Sequence, residues 1–182
     1  MQYQGRDKSG YTELVTTAEC VSHLYLPADA DTTLMTAYIL TARRWVEQYC
    51  GLPLIEKNVT VHYDTFPQNK ESILLPLITE SADIIEITYI DSDNVEQTID
   101  GGDVILANIP NPNYIIPLED WPLESRNVNI CYTATAYYDA AALKPAIMLM
   151  VAHLYENREI VETKFTNSLK NLLAPYRKRY HV

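Results

Sequence analysis

The spacing of apolar residues changes twice along the chain, and these two changes constrain the fold more than any other feature. Through residues 31–51 apolar side chains return every three or four positions: Leu34, Tyr38, Ile39, Ala42, Trp45, Val46 and Tyr49. That period predicts an amphipathic helix of about five turns, capped by Asp31 and stopped by Gly51, which takes a left-handed conformation at no steric cost. A shorter helix precedes it. In Thr16-Thr17-Ala18-Glu19 the Thr16 hydroxyl can accept from the Glu19 amide while the Glu19 carboxylate reaches back, a capping box that starts a helix running to about Leu24, before Pro27. The first ten residues, with Gly5 and Gly10, follow neither period and read as an N-terminal arm or loose end.

From Leu54 to about Thr133 the period shortens to two. Ile55, Val59, Val61 and Tyr63 alternate with polar residues, and residues 85–90 do so less cleanly before the turn Asp91-Ser92-Asp93-Asn94, which makes a hairpin. Residues 95–99, 103–106, 113–116 and 128–133 are further short strands, separated by Gly101-Gly102, Pro110, Pro112, Pro117 and Pro122. An antiparallel sandwich or small barrel follows from many short strands joined by such turns.

Helical spacing returns at Lys144-Pro145, where proline is tolerated because the first helical N–H has no partner in any case. Residues 146–154 are apolar nearly all round apart from His153, so this helix is central or sandwiched between subunits. A last helix follows Thr166 with Leu169, Leu172, Leu173 and Tyr176 on one stripe, and Pro175 should kink or end it. The expected fold is therefore α+β: about four helices drawn from both ends of the chain, with an antiparallel β insert between them. The segments are 1–53 (arm and two helices), 54–134 (β insert) and 135–182 (helices packing with 12–53, then a basic tail). With 182 residues there is ample chain for one domain or two small ones.

Charge is divided as unevenly as periodicity. The chain carries 24 acidic and 14 basic residues, a formal −10, which disfavours non-specific wrapping of nucleic acid. Residues 54–133 alone hold 14 acidic and three basic residues, whereas residues 163–182 hold five basic and no acidic ones. The insert should present an acidic outer face, and the tail is a separate basic, tyrosine-bearing element. Tyrosine supplies 14 of 18 aromatics; Tyr38, Tyr49, Tyr155 and Tyr176 lie on helices, where β propensity does not account for them and association surfaces do.

Catalytic patterns are missing from the sequence. It has neither a phosphate-cradling glycine loop nor a serine elbow, and no pair of histidines at zinc-protease spacing. Cys20, Cys50 and Cys131 are odd in number and lack metal-ligand spacing, so they read as packing residues in a reducing compartment. Asp91-Ser92-Asp93-Asn94 and Asp100-Gly101-Gly102-Asp103 read as turns rather than calcium loops. No cofactor or metal is expected, nor a signal peptide or a membrane span.

Several motifs then recur in a recognisable order. The long helix ends Ala42-Arg43-Arg44-Trp45-Val46-Glu47-Gln48-Tyr49-Cys50-Gly51-Leu52-Pro53-Leu54, and the insert closes with Cys131-Tyr132-Thr133-Ala134. Leu143-Lys144-Pro145-Ala146-Ile147, His153-Leu154-Tyr155-Glu156-Asn157-Arg158-Glu159 and Leu172-Leu173-Ala174-Pro175-Tyr176-Arg177 follow. Over residues 12–180 the chain resembles the head–tail connector (adaptor, or head-completion) family of tailed bacteriophages and prophages. It departs from the smallest members by its β insert and by lacking a glycine-rich hairpin before the last strand-to-helix junction.

The resemblance implies a non-enzymatic structural protein of the virion neck, made in the bacterial cytoplasm. It implies a homo-oligomeric ring, commonly of 12 subunits, beneath the portal protein, contacting the next neck or tail-completion protein. DNA would pass through the lumen without sequence-specific binding. The expected portal or subunit interface is Tyr155, Arg158, Glu159, Tyr176, Arg177, Lys178, Arg179 and Tyr180. Two other readings compete: a β-module binding carbohydrate or protein, with the Trp121 indole as an exposed platform, and a hydrolase using His153 and Glu156 in an open cleft.

Overall fold

The computed structural model describes residues 2–27, 32–77, 82–107, 114–137, 139–157 and 164–177. The chain forms two compact units, each assembled from separated segments: a β unit from Met1–Tyr11 and Glu56–Ala136, and a helical unit from Thr12–Ile55 and Tyr137–Val182.

In the helical unit α1 (Thr17–His23) begins with the expected capping box, both halves formed. Helix α2 (Thr32–Cys50) ends at Gly51, whose φ of 68° is the left-handed stop; Asp31, its expected cap, lies outside the described residues. Helix α3 (Lys144–Glu156) carries Pro145 in its first turn, and α4 (Lys164–Leu173) passes at Pro175 into a 3-10 turn, Ala174–Tyr176. One core joins all four helices through Cys20, Met35, Ile39, Val46, Ile147, Val151, Leu169 and Leu173. Each such side chain withdrawn from water contributes about 1.5–3 kcal/mol before chain entropy is charged against it.

The buried stripe of α2 is rotated from the expected one. Met35, Ile39, Ala42, Val46 and Cys50 face the core, Leu34 is exposed, and Tyr38, Trp45 and Tyr49 are half-buried. The rotation brings two charged residues inside, Arg43 and Glu47, which pair with one another at 2.9 Å. Helix α3 is likewise one-sided rather than buried all round: Ala146, Ile147 and Val151 are enclosed while Leu149 is exposed.

The β unit contains two open antiparallel sheets, and no closed barrel forms among the described residues. Five strands, β1 (Gln2–Asp7), β2 (Lys57–Tyr63), β4 (Ala82–Ile90), β5 (Glu96–Ile99) and β8 (Arg126–Ala134), stand in the order β1-β2-β8-β4-β5. The smaller sheet orders β3 (Ile73–Leu74), β7 (Tyr114–Pro117) and β6 (Val104–Ala107) as β3-β7-β6. Alternation along β2 and β8 aims Val59, Val61, Val128, Ile130 and Tyr132 into one core, which they share with Ile73, Val104 and Ile115 of the smaller sheet. The β4–β5 hairpin turns where expected: Asp91 Oδ1 accepts from the amides of Asp93 and Val95.

The N-terminal segment corrects the sequence reading. Residues 2–7 form a strand rather than a loose arm, pairing with β2 from Gln2↔His62 to Asp7↔Lys57. Their side chains are nearly all exposed, so no apolar alternation marks them. The backbone ladder holds the strand, helped by the enclosed Asp7–Lys57 ion pair at 2.8 Å and by Lys8–Glu56 at 2.9 Å.

Candidate interaction surfaces

Of the eight expected interface residues, the described ones are Tyr155, Tyr176 and Arg177; Arg158, Glu159, Lys178, Arg179 and Tyr180 lie outside the described residues. Tyr155 is exposed at the end of α3. Tyr176 is half-buried and packs on the helical core. Arg177 is drawn onto α2, where its guanidinium sits 5.2 Å from the Tyr49 ring centre. Tyr49 stacks on Trp45, the rings 5.6 Å apart and within 2° of parallel, and its hydroxyl donates to the Lys170 carbonyl at 3.2 Å. Trp45, Tyr49 and Arg177 thus form a layered stack that ties the C-terminal turn to α2, with the cation over the electron-rich ring face.

A second charged group was invisible to sequence reasoning. The Arg43 side chain is fully enclosed; its Nε donates to Glu13 at 2.8 Å and its Nη1 to Glu47 at 2.9 Å. The other Glu47 oxygen accepts from the Leu54 amide at 2.9 Å, fastening the segment that leaves α2. Since Glu13 lies 30 residues before Arg43, no local pattern announces the trio. A fully exposed Tyr25 with φ 52° was also missed, having no periodic signature.

The residues proposed for other chemistries are placed otherwise. Trp121 is only 2% exposed, stacks on Phe66 at 4.6 Å and donates its Nε1–H to the Glu71 carbonyl at 2.7 Å, so it is not an exposed sugar platform. His153 is half-buried, with Nδ1 3.1 Å from the Asn157 amide nitrogen, and Glu156 is exposed. Cys20 and Cys50 are buried, and desolvation pushes both thiols up to about 11, so neither presents a thiolate near neutrality. Among the described residues no group of three metal-ligating side chains converges, and no helix is long and apolar enough to cross a membrane.

The chain is thus a mixed α+β protein, a helical unit assembled from both chain ends together with an acidic two-sheet insert. The sequence matches the family described as "Head completion protein" over residues 13–169, and the chain belongs to that family of virion structural proteins. Three solved structures share its fold along its full length. A chain in the "Neck of empty GTA particle computed with C6 symmetry" is 20% identical, with a TM-score of 0.78. One in the "Virion of native gene transfer agent (GTA) particle" is 18% identical (TM-score 0.76), and one in the "Neck of native GTA particle computed with C12 symmetry" is 20% identical (TM-score 0.75). Each alignment covers 100% of this chain and 98% of the other. No curated protein matches the sequence.

Proposed function

We propose that this protein is a head–tail connector: it forms a ring in the virion neck beneath the portal, extends the DNA channel and offers the platform on which the tail is mounted. The observation that carries this reading is membership of the head completion family across both units; the likeness to chains in symmetric neck assemblies supports it. A ring of 12 subunits agrees with the C12 neck among those structures. The role is structural rather than catalytic, with Tyr155, Arg158, Glu159, Tyr176, Arg177, Lys178, Arg179 and Tyr180 engaging portal or neighbouring subunit. The acidic β unit suits a part that lets duplex slide past, because like charges repel and condensed counterions are not released.

Electron microscopy of the chain mixed with its portal tests the proposal. Rings seated on the portal are expected; portal particles that stay bare at saturating chain concentration would overturn it. The binding-module alternative has lost its platform, since Trp121 is a core residue.

A further inference from the structure

Next to the turn at residues 100–103 the surface of the β unit has an open hollow of about 340 Å³. Its floor is apolar, formed by Ile99, Val104 and Pro117, and its rim carries three exposed carboxylates, Asp103, Glu119 and Asp120. No basic side chain is among the described residues that line it. The loop bearing Glu119 and Asp120 is held in place from both sides: the Leu118 amide donates to the Asp103 carbonyl at 2.9 Å, and the Trp121 amide to the Asn69 carbonyl at 3.1 Å. Lys70 bonds the Leu118 carbonyl and so is committed to the loop itself. Across the same turn lies a second, more open hollow bordered by the exposed Ile85 together with Glu86 and Asp100. Ile85 is the extra residue of a bulge in β4, between Ile84↔Tyr132 and Glu86↔Cys131, which accounts for its outward position.

An apolar floor under an acidic rim selects a long cationic side chain: the methylene stem lies on the floor while the charged head meets the carboxylates. The chain itself supplies such a ligand. Residues 178–182 read Lys-Arg-Tyr-His-Val, within a 20-residue stretch that has no acidic residue. We infer that this acidic hollow receives the basic C-terminal segment, residues 178–182, of a second copy of the chain. Such a contact joins two different surfaces, the kind that closes a ring when the rotation between copies closes, and the inference deepens the ring reading by naming one lateral contact.

The test uses the chain truncated after Arg177 and a labelled peptide of residues 176–182, followed by fluorescence anisotropy in the absence of portal. Binding is expected, weakened about tenfold by the triple change Asp103→Asn, Glu119→Gln, Asp120→Asn, and weakened again on raising salt from about 50 to 300 mM. A control triple removing as many exposed carboxylates elsewhere, Asp83→Asn, Asp93→Asn, Glu96→Gln, should leave binding nearly unchanged. No binding, or equal loss in both triples, would overturn the inference. In the full-length protein, Asp120→Cys mixed with Arg179→Cys should form an intermolecular disulfide; a mixture that yields none would count against the contact. Because neither readout needs portal, failure here is distinct from failure of the ring reading.

Discussion

Arg43 shows how one residue can be both the strongest local commitment of a helix and illegible beforehand. Its charge is removed from water, and the two carboxylates that compensate it come from the next turn and from a segment 30 residues earlier. Removing one partner of such a group leaves an uncompensated buried charge, so Arg43→Ala should destabilise the protein by about 3–5 kcal/mol in urea unfolding. Glu19 illustrates the opposite, legible case, since the residue that bonds it most, Thr16, is three positions away. Its carboxyl is held below the usual range chiefly by the Thr16 amide, then by the Thr16 hydroxyl and Lys144. A depressed folded-state value means the stabilisation is present above the unfolded value, near 4.5, and is lost as pH falls through the folded one. The stability advantage of the wild type over Glu19→Gln should therefore be found at neutral pH and vanish in acid, as read by denaturation at a series of pH values. The thiols supply a third check. Cys20 and Cys50 are buried and shifted upward, whereas Cys131 is partly accessible, so a thiol reagent at pH 8 should modify one cysteine rapidly and the other two only on unfolding.

At the scale of elements, what was readable followed from local chemistry. The capping box of α1, the glycine stop of α2, the proline in the first turn of α3 and the aspartate turn of the β4–β5 hairpin each act within five residues, and each stands where the sequence put it. Strand β1 and the two-residue β3 were not readable, because a strand recruited by the ladder of a neighbour needs no apolar alternation of its own. The expected interface residues divide in the same way. Tyr176 and Arg177 could be singled out as aromatic and basic, but that Arg177 would stack on Tyr49 depends on the packing of α4 across α2, which no window of sequence contains. The edge position of β1 has a measurable consequence. It is held on one side only and buries almost nothing, so its amides should exchange with solvent faster than those of β8, which is flanked by β2 and β4. Asp7→Asn, which removes the charge facing Lys57, should widen that difference while leaving β8 protected.

For the whole molecule the division of charge coincides with the division of structure. The β unit holds 15 acidic and five basic residues, and the helical unit nine of each, so the entire −10 resides in the β unit. Raising salt should therefore stabilise the β unit, where like charges crowd, more than the neutral helical unit. Unit-specific probes in thermal unfolding at several salt concentrations will show this as a midpoint that rises for one and stays put for the other. Periodicity made the two kinds of structure legible, but assigning the first eleven residues to the β unit required the pairing of β1 with β2.

The register of β2 against β8 fixes where the two ends of the insert meet. Lys57, at the entrance of the insert, faces Ala134 at its exit, while the Tyr137 amide donates to the Pro53 carbonyl at 2.8 Å. The helices α2 and α3 are separated by more than ninety residues of chain, a loop expensive in entropy to close from an open coil. Pairing of β2 with β8 holds the two ends of that loop together, so the insert acts as a clasp. During synthesis α2 emerges before the insert and α3 after it, and mutations that loosen β2–β8 pairing should slow the docking of α3 even though they touch neither helix.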